Sequence, residues 1–485
     1  MTENTILNPI YAGRPIALLT SDSAWLDAML EAEIGLAAAQ AQLGIIPTAA
    51  RIDIETGARA HHFDLGRIAV AAQGAANPVV AFVDELTTAV AAIDADSANY
   101  VHRGATSQDI LDTAAMLIAS RALQLIVEDL TDTARSLAQL ARAHRTTPAA
   151  ARTLAMHAVP TTFGAKCATW LAGVLHARTR CIRVRESLPV QLGGAAGTLA
   201  SYLQAADQSP ATDYNHDTLW VHLTNHYADA VELRPAPMPW HTTRTPLADI
   251  AAALNVTAGA LGKIAVDVIS LARTEVAEVR EPAAPGRGAS STMPQKRNPA
   301  MSALIRAAAT QIPSHTAVLF TSMVAEDERP AGAWHAEWDS LRCALRLAGG
   351  ATATAAELTA GLETDPDQMA RNLEMTGGQI VTERLSAALA THLGKKTTKE
   401  LLTRAAFAAQ RNRTSLDHEI LATPDLRDAW SDTQLRELLD PTHYLGAAPF
   451  IVDRALELFA NSSAAHQIAT QASVTEHDGA VAARA

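Results

Sequence analysis

The chain has 485 residues, of which 48% are hydrophobic and only 4% aromatic, and its formal net charge is −12. This length allows a large buried core and more than one domain. Because the chain is acidic and has no long basic tract, we expect no nucleic-acid partner. We see no signal peptide and no uninterrupted apolar run long enough to span a membrane, so we expect no membrane partner either.

The cysteines are few and scattered. Cys167, Cys181 and Cys343 form no cluster with the spacing of metal ligands. This pattern predicts neither a disulfide framework nor a zinc site. It indicates a reducing compartment, so we expect a cytoplasmic protein.

Alanine dominates the composition and favours closely packed helices over sheet. A first helix is predicted over residues 24–43, and Ala76-Asn77-Pro78 breaks the next helical region. Five long helices are then predicted, over residues 109–143, 162–186, 246–278, 299–322 and 335–361. In the first of them Leu123, Leu130 and Leu137 recur every seven residues, which is typical of a seam in a helix bundle. No strand pattern is strong enough to place a core sheet, so the predicted fold class is all-α.

These elements predict a three-domain subunit with a tail. The segments are an N-terminal helical domain (1–108), a central bundle of long helices (109–361), a C-terminal helical domain (362–461) and a disordered tail (462–485). The helices of the C-terminal domain are predicted to be short and to be broken at Pro424 and Pro441.

The loop at residues 288–299 carries the densest set of chemically special residues. Asn298 can cap the helix that follows, and Pro299 suits its first turn. A helix start offers free N–H groups and a partial positive charge, to which Lys296 and Arg297 add full charges. For any one residue a flexible surface loop is the simpler explanation. The whole string instead predicts an anion site that contains serine.

Residues 102–109 form a second candidate segment, in which Thr106 and Ser107 are hydroxyl donors at a helix start. Such a position suits a carboxylate. For Ser107 or Asp109 taken alone, an ordinary helix N-cap is an equally good explanation.

A third segment, residues 152–164, carries His157 between apolar flanks. A histidine satisfied within the core is the simpler explanation, but an imidazole could also act as an acid or a base near neutral pH. The glycine-rich residues 191–198 lack a preceding strand, so we interpret them as a place where backbones approach closely, and not as a dinucleotide site.

Arg329 follows three acids, Glu326 to Glu328. It could form surface ion pairs, or bind a carboxylate in bidentate fashion, and the sequence leaves that choice open. The candidate segments are far apart, each at the end of a long helix. A homotetramer would let the helix ends of different subunits complete one site.

Together these residues resemble the aspartase/fumarase superfamily, whose signature loop is written G-S-S-x-M-P-x-K-x-N-P. Ala289 stands in place of the usual glycine, and the remaining signature positions match. Thr106-Ser107-Gln108-Asp109 matches the superfamily segment T-S-x-D. Within the superfamily these residues resemble the bacterial 3-carboxy-cis,cis-muconate cycloisomerases, and nitrosuccinate lyases resemble this branch as well.

The resemblance implies an all-α homotetramer with a 20-helix core, three subunits at each active site, and no metal or organic cofactor. It implies removal of a proton beside a carboxylate, with loss of a group from the neighbouring carbon of a small dicarboxylate or tricarboxylate. Ser290 matches the catalytic base, and His157 is our candidate for a general acid or substrate contact. The substrate-binding residues implied are Thr106, Ser107, Thr153, Lys296, Asn298 and Arg329.

Several positions depart from the relatives' pattern. Leu154 stands where many members have a histidine, and Met156, Gln295 and Asp327 differ from the cycloisomerases. These changes suggest that the elimination chemistry is retained while the substrate differs. Because nitrite leaves without a proton, our leading hypothesis is C–N cleavage of nitrosuccinate to fumarate in secondary metabolism such as antibiotic biosynthesis.

Muconate lactone chemistry is the alternative, and adenylosuccinate cleavage is a weaker one. A hypothesis from a different class is a non-enzymatic member that serves as a tetrameric scaffold. The intact Ser290, Lys296 and Asn298 argue against it.

Overall fold

A computed structural model describes residues 6–209, 215–289, 292–293, 295–427 and 430–462. The candidate base Ser290 lies outside the described residues. So does the predicted tail, apart from Ser462.

The described chain is 69% helical with almost no sheet, which confirms the all-α prediction. The N-terminal helices are α1 (Pro15–Leu19), α2 (Asp22–Gln42), α3 (Thr48–Ala60), α4 (Leu65–Ala75) and α5 (Val79–Ala91). The middle helices are α6 (Ser107–Ala143), α7 (Phe163–Ser187), α8 (Ala200–Asp207), α9 (His216–Ala230), α10 (Thr245–Leu271), α11 (Ala300–Thr321) and α12 (Ala333–Ala360). The C-terminal helices are α13 (Pro366–Glu374), α14 (Thr382–Leu393), α15 (Lys395–Asn412), α16 (Leu416–Leu421), α17 (Pro424–Arg427) and α18 (Asp432–Leu439), and residues 448–462 are also helical.

The five predicted long helices are confirmed as α6, α7, α10, α11 and α12. The predicted third helix was too long at its C-terminal end, because α10 stops at Leu271 and the chain then turns towards a short strand at Val279. The seam of α6 is confirmed, since Leu123, Leu130 and Leu137 are fully buried. Pro424 and Pro441 each begin a new helical element, as a residue without an N–H does readily.

Within the described ranges, two small antiparallel pairs of strands interrupt the helices: β1 (Pro148–Thr153) with β2 (Met156–Thr162), and β3 (Val279–Arg280) with β4 (Glu363–Thr364). The β1–β2 hairpin was not predicted. Its two-residue turn, Leu154-Ala155, has φ values of +49° and +67°. Positive φ at both central positions is the geometry of a type I′ hairpin turn.

The described chain forms two compact units. Unit 1 comprises Met1–Leu130, His176–Gly262 and Leu304–Thr354, and unit 2 comprises Thr131–Leu175, Lys263–Ala303 and Ala355–Ala485. Phe82, Tyr202 and Tyr227 are among the fully buried side chains of unit 1, and Phe163 and Leu385 among those of unit 2.

In the part of the chain that the structure describes, two helices are long and apolar enough to cross a membrane, judged by length and composition alone. The most apolar 18 residues of α6 are 78% buried inside the chain, and those of α10 are 44% buried. The core helix of a globular protein meets the same criteria, so this feature is weak evidence for a membrane span.

Candidate active site

The start of α6 forms the first part of the candidate site, within unit 1. Thr106 is the cap residue, since its carbonyl accepts the N–H of Asp109 at 2.9 Å and its own N–H donates to Asp109 Oδ2 at 3.2 Å. No described residue accepts the backbone N–H of Ser107 or Gln108. Helix starts leave such donors free, so this end of α6 can receive an anion.

Asp109, three residues after the cap, is a structural anchor and not the N-cap itself. Its buried carboxylate accepts hydrogen bonds from five groups: the N–H of Thr106, Gly193 and Gly194, the Tyr202 hydroxyl and His241 Nε2, at 2.8–3.2 Å. A Cβ on Gly193 would lie 2.6 Å from the His241 ring. The absence of a side chain at Gly193 therefore lets its backbone lie close to the His241 ring.

Arg329 lies against the start of α6. Its Nη2 donates to Thr106 Oγ1 at 2.9 Å and to the Ala195 carbonyl at 3.2 Å, while Nε donates to Gln108 Oε1 at 3.2 Å. Within the described residues Arg329 forms no ion pair, and its Nη1 has no partner. The structure thus joins Arg329 and Thr106 and leaves Nη1 of the guanidinium unpaired within the described residues.

The loop before α6 is held by a second buried pair. His102 Nδ1 lies 2.5 Å from Glu33 Oε1, and His102 has a φ of +55°. Burial lowers the pKa of His102, but the Glu33 carboxylate, with help from Asp109, raises it above the ordinary histidine value overall. This pairing fixes the loop that carries Thr106.

A buried ionic network supports the same helix. Arg244 donates to both carboxylates, Asp112 and Glu337, and Trp334 Nε1 donates to Asp112 Oδ1 at 2.9 Å. Burial raises the pKa of Glu337, which Arg244 partly counteracts. Trp334, near the start of α12, thus contributes to the frame of the site.

The start of α11 is arranged differently, and here the capping prediction was wrong. The carboxylate of Glu281 accepts the N–H of Met301 at 2.9 Å, and the N–H and hydroxyl of Ser302 at 2.7 and 2.6 Å. A residue twenty positions upstream, and not Asn298, therefore caps this helix. The free N–H groups expected for a bound anion are already engaged.

Asn298 instead closes the neck of the signature loop. Its backbone N–H and its side-chain Nδ2 both donate to the carbonyl of Gly288, at 3.0 and 3.2 Å. Gly288 has a φ of +64°, and a Cβ there would lie 2.4 Å from the Asn298 carbonyl oxygen. Lys296 is exposed, and Arg297 lies 3.7 Å from Glu363.

The β1–β2 hairpin places His157 opposite Arg152 and leaves Thr153 exposed beside the turn. Arg152 forms an ion pair with Glu278, with 2.6 Å between Nη2 and Oε1. Burial lowers the pKa of His157, and the Arg152 cation lowers it further, against a smaller opposing effect of Glu278. The imidazole is thus held in its uncharged form near neutral pH.

Of the predicted site residues, the structure brings together those of unit 1, namely Thr106, Ser107 and Arg329. Unit 2 carries the others that are described. Thr153 and His157 share the hairpin, and Lys296 and Asn298 share the loop. Sequence reasoning missed Gln108, which accepts from Arg329, and the supporting residues His241, Glu281, Arg152 and Glu278. Partners so far apart in the chain leave no local pattern.

A lyase family model matches residues 15–314, and an adenylosuccinate lyase C-terminus model matches residues 378–455. The chain is 54% identical over 456 residues to a nitrosuccinate lyase from Streptomyces davaonensis, covering 94% of this chain and 95% of that protein. It is 39% identical over 454 residues to a 3-carboxy-cis,cis-muconate cycloisomerase from Pseudomonas aeruginosa, covering 93% and 96%. The crystal structure of 3-carboxy-cis,cis-muconate lactonizing enzyme from Pseudomonas putida matches with a TM-score of 0.87 at 34% identity, covering 95% of this chain and 100% of that chain.

Proposed function

Because this chain belongs to the lyases of the aspartase/fumarase superfamily, we propose that it eliminates nitrite from nitrosuccinate and releases fumarate. The observation that carries the proposal is the open start of α6, where Arg329 lies beside Thr106 with its Nη1 unpaired within the described residues. Backbone donors and a planar guanidinium together match a carboxylate.

An elimination beside a carboxylate needs a positively charged group that binds this carboxylate. A proton on the carbon beside a carboxylate is very weakly acidic, and its removal gives an aci-carboxylate with two negative charges. Positive charge aimed at that group stabilises the transition state more than the ground state. The C–H electrons then form the double bond, and the C–N electrons leave with nitrite. The enzyme therefore has to supply a base and a cationic clamp.

We assign Ser290 as the base, with Lys296 and Asn298 as further substrate ligands. Thr106, Ser107, Thr153 and Arg329 contact the substrate in this proposal. The protein acts as a cytoplasmic homotetramer in which different subunits contribute these groups to one site. The loop neck at Asn298 supports this assignment, because it holds both ends of the segment that contains Ser290.

The choice of nitrosuccinate rests on the 54% identity to a protein named for that reaction, against 39% for the cycloisomerase. The residues that differ from the cycloisomerases, Met156, Gln295 and Asp327, agree with a changed substrate. The second candidate is lactone formation from carboxymuconate, which the likeness to the Pseudomonas putida structure favours.

The purified protein is offered nitrosuccinate, carboxymuconate and adenylosuccinate separately, with fumarate followed by absorbance and nitrite by a colour assay. We expect fumarate and nitrite in equal amounts from nitrosuccinate. Turnover of carboxymuconate without fumarate from either succinyl substrate would favour the second candidate.

Ser290→Ala tests the base, with native mass measured in parallel. Activity should be abolished while the assembly is unchanged, because the variant lacks only one hydroxyl. Ser201→Ala is the matched control, since Ser201 is exposed on α8. A fully active Ser290→Ala protein would overturn the assignment. Absence of any turnover in the unaltered protein would favour the scaffold hypothesis.

A further inference from the structure

The ring of His157 is placed where it cannot easily become charged. Its Nδ1 is buried and has no hydrogen-bond partner within the described residues. An imidazolium donates from both ring nitrogens, so protonation would leave a buried N–H without an acceptor. The uncharged ring avoids this cost.

A fixed cation lies across the hairpin from this ring. Arg152 on β1 is the strand partner of His157 on β2. Its guanidinium donates to both carboxylate oxygens of Glu278, from Nη2 to Oε1 at 2.6 Å and from Nη1 to Oε2 at 3.2 Å. Such a bidentate pair holds an arginine in one orientation.

Glu278 is fixed in turn. Its side chain is 1% exposed, and Oε1 also accepts from Asn372 Nδ2 at 2.8 Å, while the same amide donates to the Val276 carbonyl at 2.7 Å. The strand β1 packs on α13, whose charged residues Asp367, Arg371 and Glu374 are exposed.

The strand β2 packs on the 3-10 turn Gln379–Val381, which carries no charge. Among the described residues, the charges that act on His157 are those of Arg152 and Glu278, and burial together with Arg152 lowers the pKa of the ring.

We propose that Arg152, held by Glu278, is a positioning residue that keeps His157 an uncharged imidazole, so that the site serves leaving groups that depart as stable anions. This inference rests on the proposed function. In nitrosuccinate the C–H bond breaks and its proton passes to the base. The C–H electron pair becomes the double bond, and the C–N pair leaves as nitrite, with no proton required.

A carboxylate leaving group also departs as a stable anion and needs no proton. An amine or purine nitrogen does not, because it must be protonated as it leaves and an uncharged imidazole is a poor proton donor. The inference therefore narrows the substrate class by the charge of the leaving group.

The test is the titration of His157 in the whole protein, followed by NMR of 13Cε1-labelled histidine, with His157→Gln to assign the signal. We expect the pKa of His157 to lie below the ordinary value in the unaltered protein and in Arg152→Lys. It should rise in Arg152→Gln. Arg152→Gln/Glu278→Gln should also raise it, and that double variant leaves no buried carboxylate unpaired if the single variant fails to fold.

Arg371→Gln is the matched control, because Arg371 is an exposed arginine on the neighbouring helix α13, and it should leave the titration unchanged. A His157 that titrates at or above the ordinary value, or a double variant without any shift, would overturn the inference.

Kinetics provide a second readout. If the neutral ring is the active form, kcat/KM for nitrosuccinate falls as the pH drops through the pKa of His157. Arg152→Gln/Glu278→Gln should then move this acidic limb to higher pH, whereas Arg152→Lys should not.

The two proposals fail in different ways. A depressed His157 pKa without any fumarate from nitrosuccinate would refute the proposed function alone. Rapid nitrosuccinate turnover with a fully charged His157 would refute this inference alone.

Discussion

The starts of α6 and α11 differ in what occupies them. At the start of α11 the backbone N–H groups of Met301 and Ser302 donate to Glu281, a carboxylate of the same chain. At α6 no described residue accepts the N–H of Ser107 or Gln108, and the guanidinium of Arg329 lies alongside.

The α11 start follows the loop with more cations in the sequence, yet its backbone donors are already saturated. A cationic loop before a helix therefore does not by itself make an anion site. A carboxylate of the same chain, here Glu281, can occupy the position that a bound anion would take.

Removal of the cation at α6 should have the largest effect. Arg329→Gln should lower kcat/KM about a hundredfold or more, because the developing charge on the substrate loses its cationic donor. Steady-state kinetics with nitrosuccinate measure this loss, and Arg454→Gln, an exposed arginine in an i,i+3 pair, is the matched control. If Arg454→Gln lowered kcat/KM as much as Arg329→Gln does, the start of α6 would not be the anion site.

Removal of the internal cap at α11 should affect stability instead. Glu281→Ala leaves three donors without their acceptor, so we expect the free energy of unfolding to fall by about 2 kcal/mol. Urea denaturation measures it, with the exposed Glu275→Ala as control. If the start of α11 were the true anion site, the freed donors would lower KM, and that result would reverse our assignment.

The loop neck should show a smaller effect. Asn298→Ala removes the side-chain bond to the Gly288 carbonyl, so we expect a loss of about 1 kcal/mol in the free energy of unfolding and faster proteolysis within residues 289–297. Limited proteolysis with mass spectrometry locates the cuts, and Asn461→Ala serves as the control. An unchanged cleavage rate would mean that the backbone bond alone holds the neck.

The smallest effect should come from the pair His102–Glu33 before α6. Since the folded-state pKa of His102 is raised, its contribution to stability is fully present below the ordinary histidine pKa and is lost as the pH rises through the folded value. Glu33→Gln should therefore lower the urea midpoint more at pH 6 than at pH 9. If Glu33→Gln lowered the urea midpoint equally at both pH values, Glu33 would contribute through packing alone and not through the charge of His102.

The long helices could be predicted because their apolar period is local, as Leu123, Leu130 and Leu137 show. The pairing of Arg329 with Thr106 spans 223 positions, so only the resemblance to a family could suggest that both belong to one site. The cap at Glu281 escaped prediction for the same reason of distance. The carboxylate of Glu281, 20 residues upstream of Met301, leaves no mark in the sequence around Asn298.

The hairpin was missed for a different reason. Its turn has neither the asparagine nor the glycine that signals a two-residue connection, and Pro160 lies within β2. The strands β1 and β2 are also too short for their alternating pattern to outweigh these contrary signals.

That turn also marks a place where the protein could be made more robust. Leu154 and Ala155 hold left-handed backbone angles that cost a residue with a Cβ about 1 kcal/mol or more each. Ala155→Gly would relax one of them, and the pair Leu154→Asn with Ala155→Gly would install the preferred residues. For anyone who wishes to use this enzyme above its natural working temperature, the tip of the hairpin is the first position to redesign.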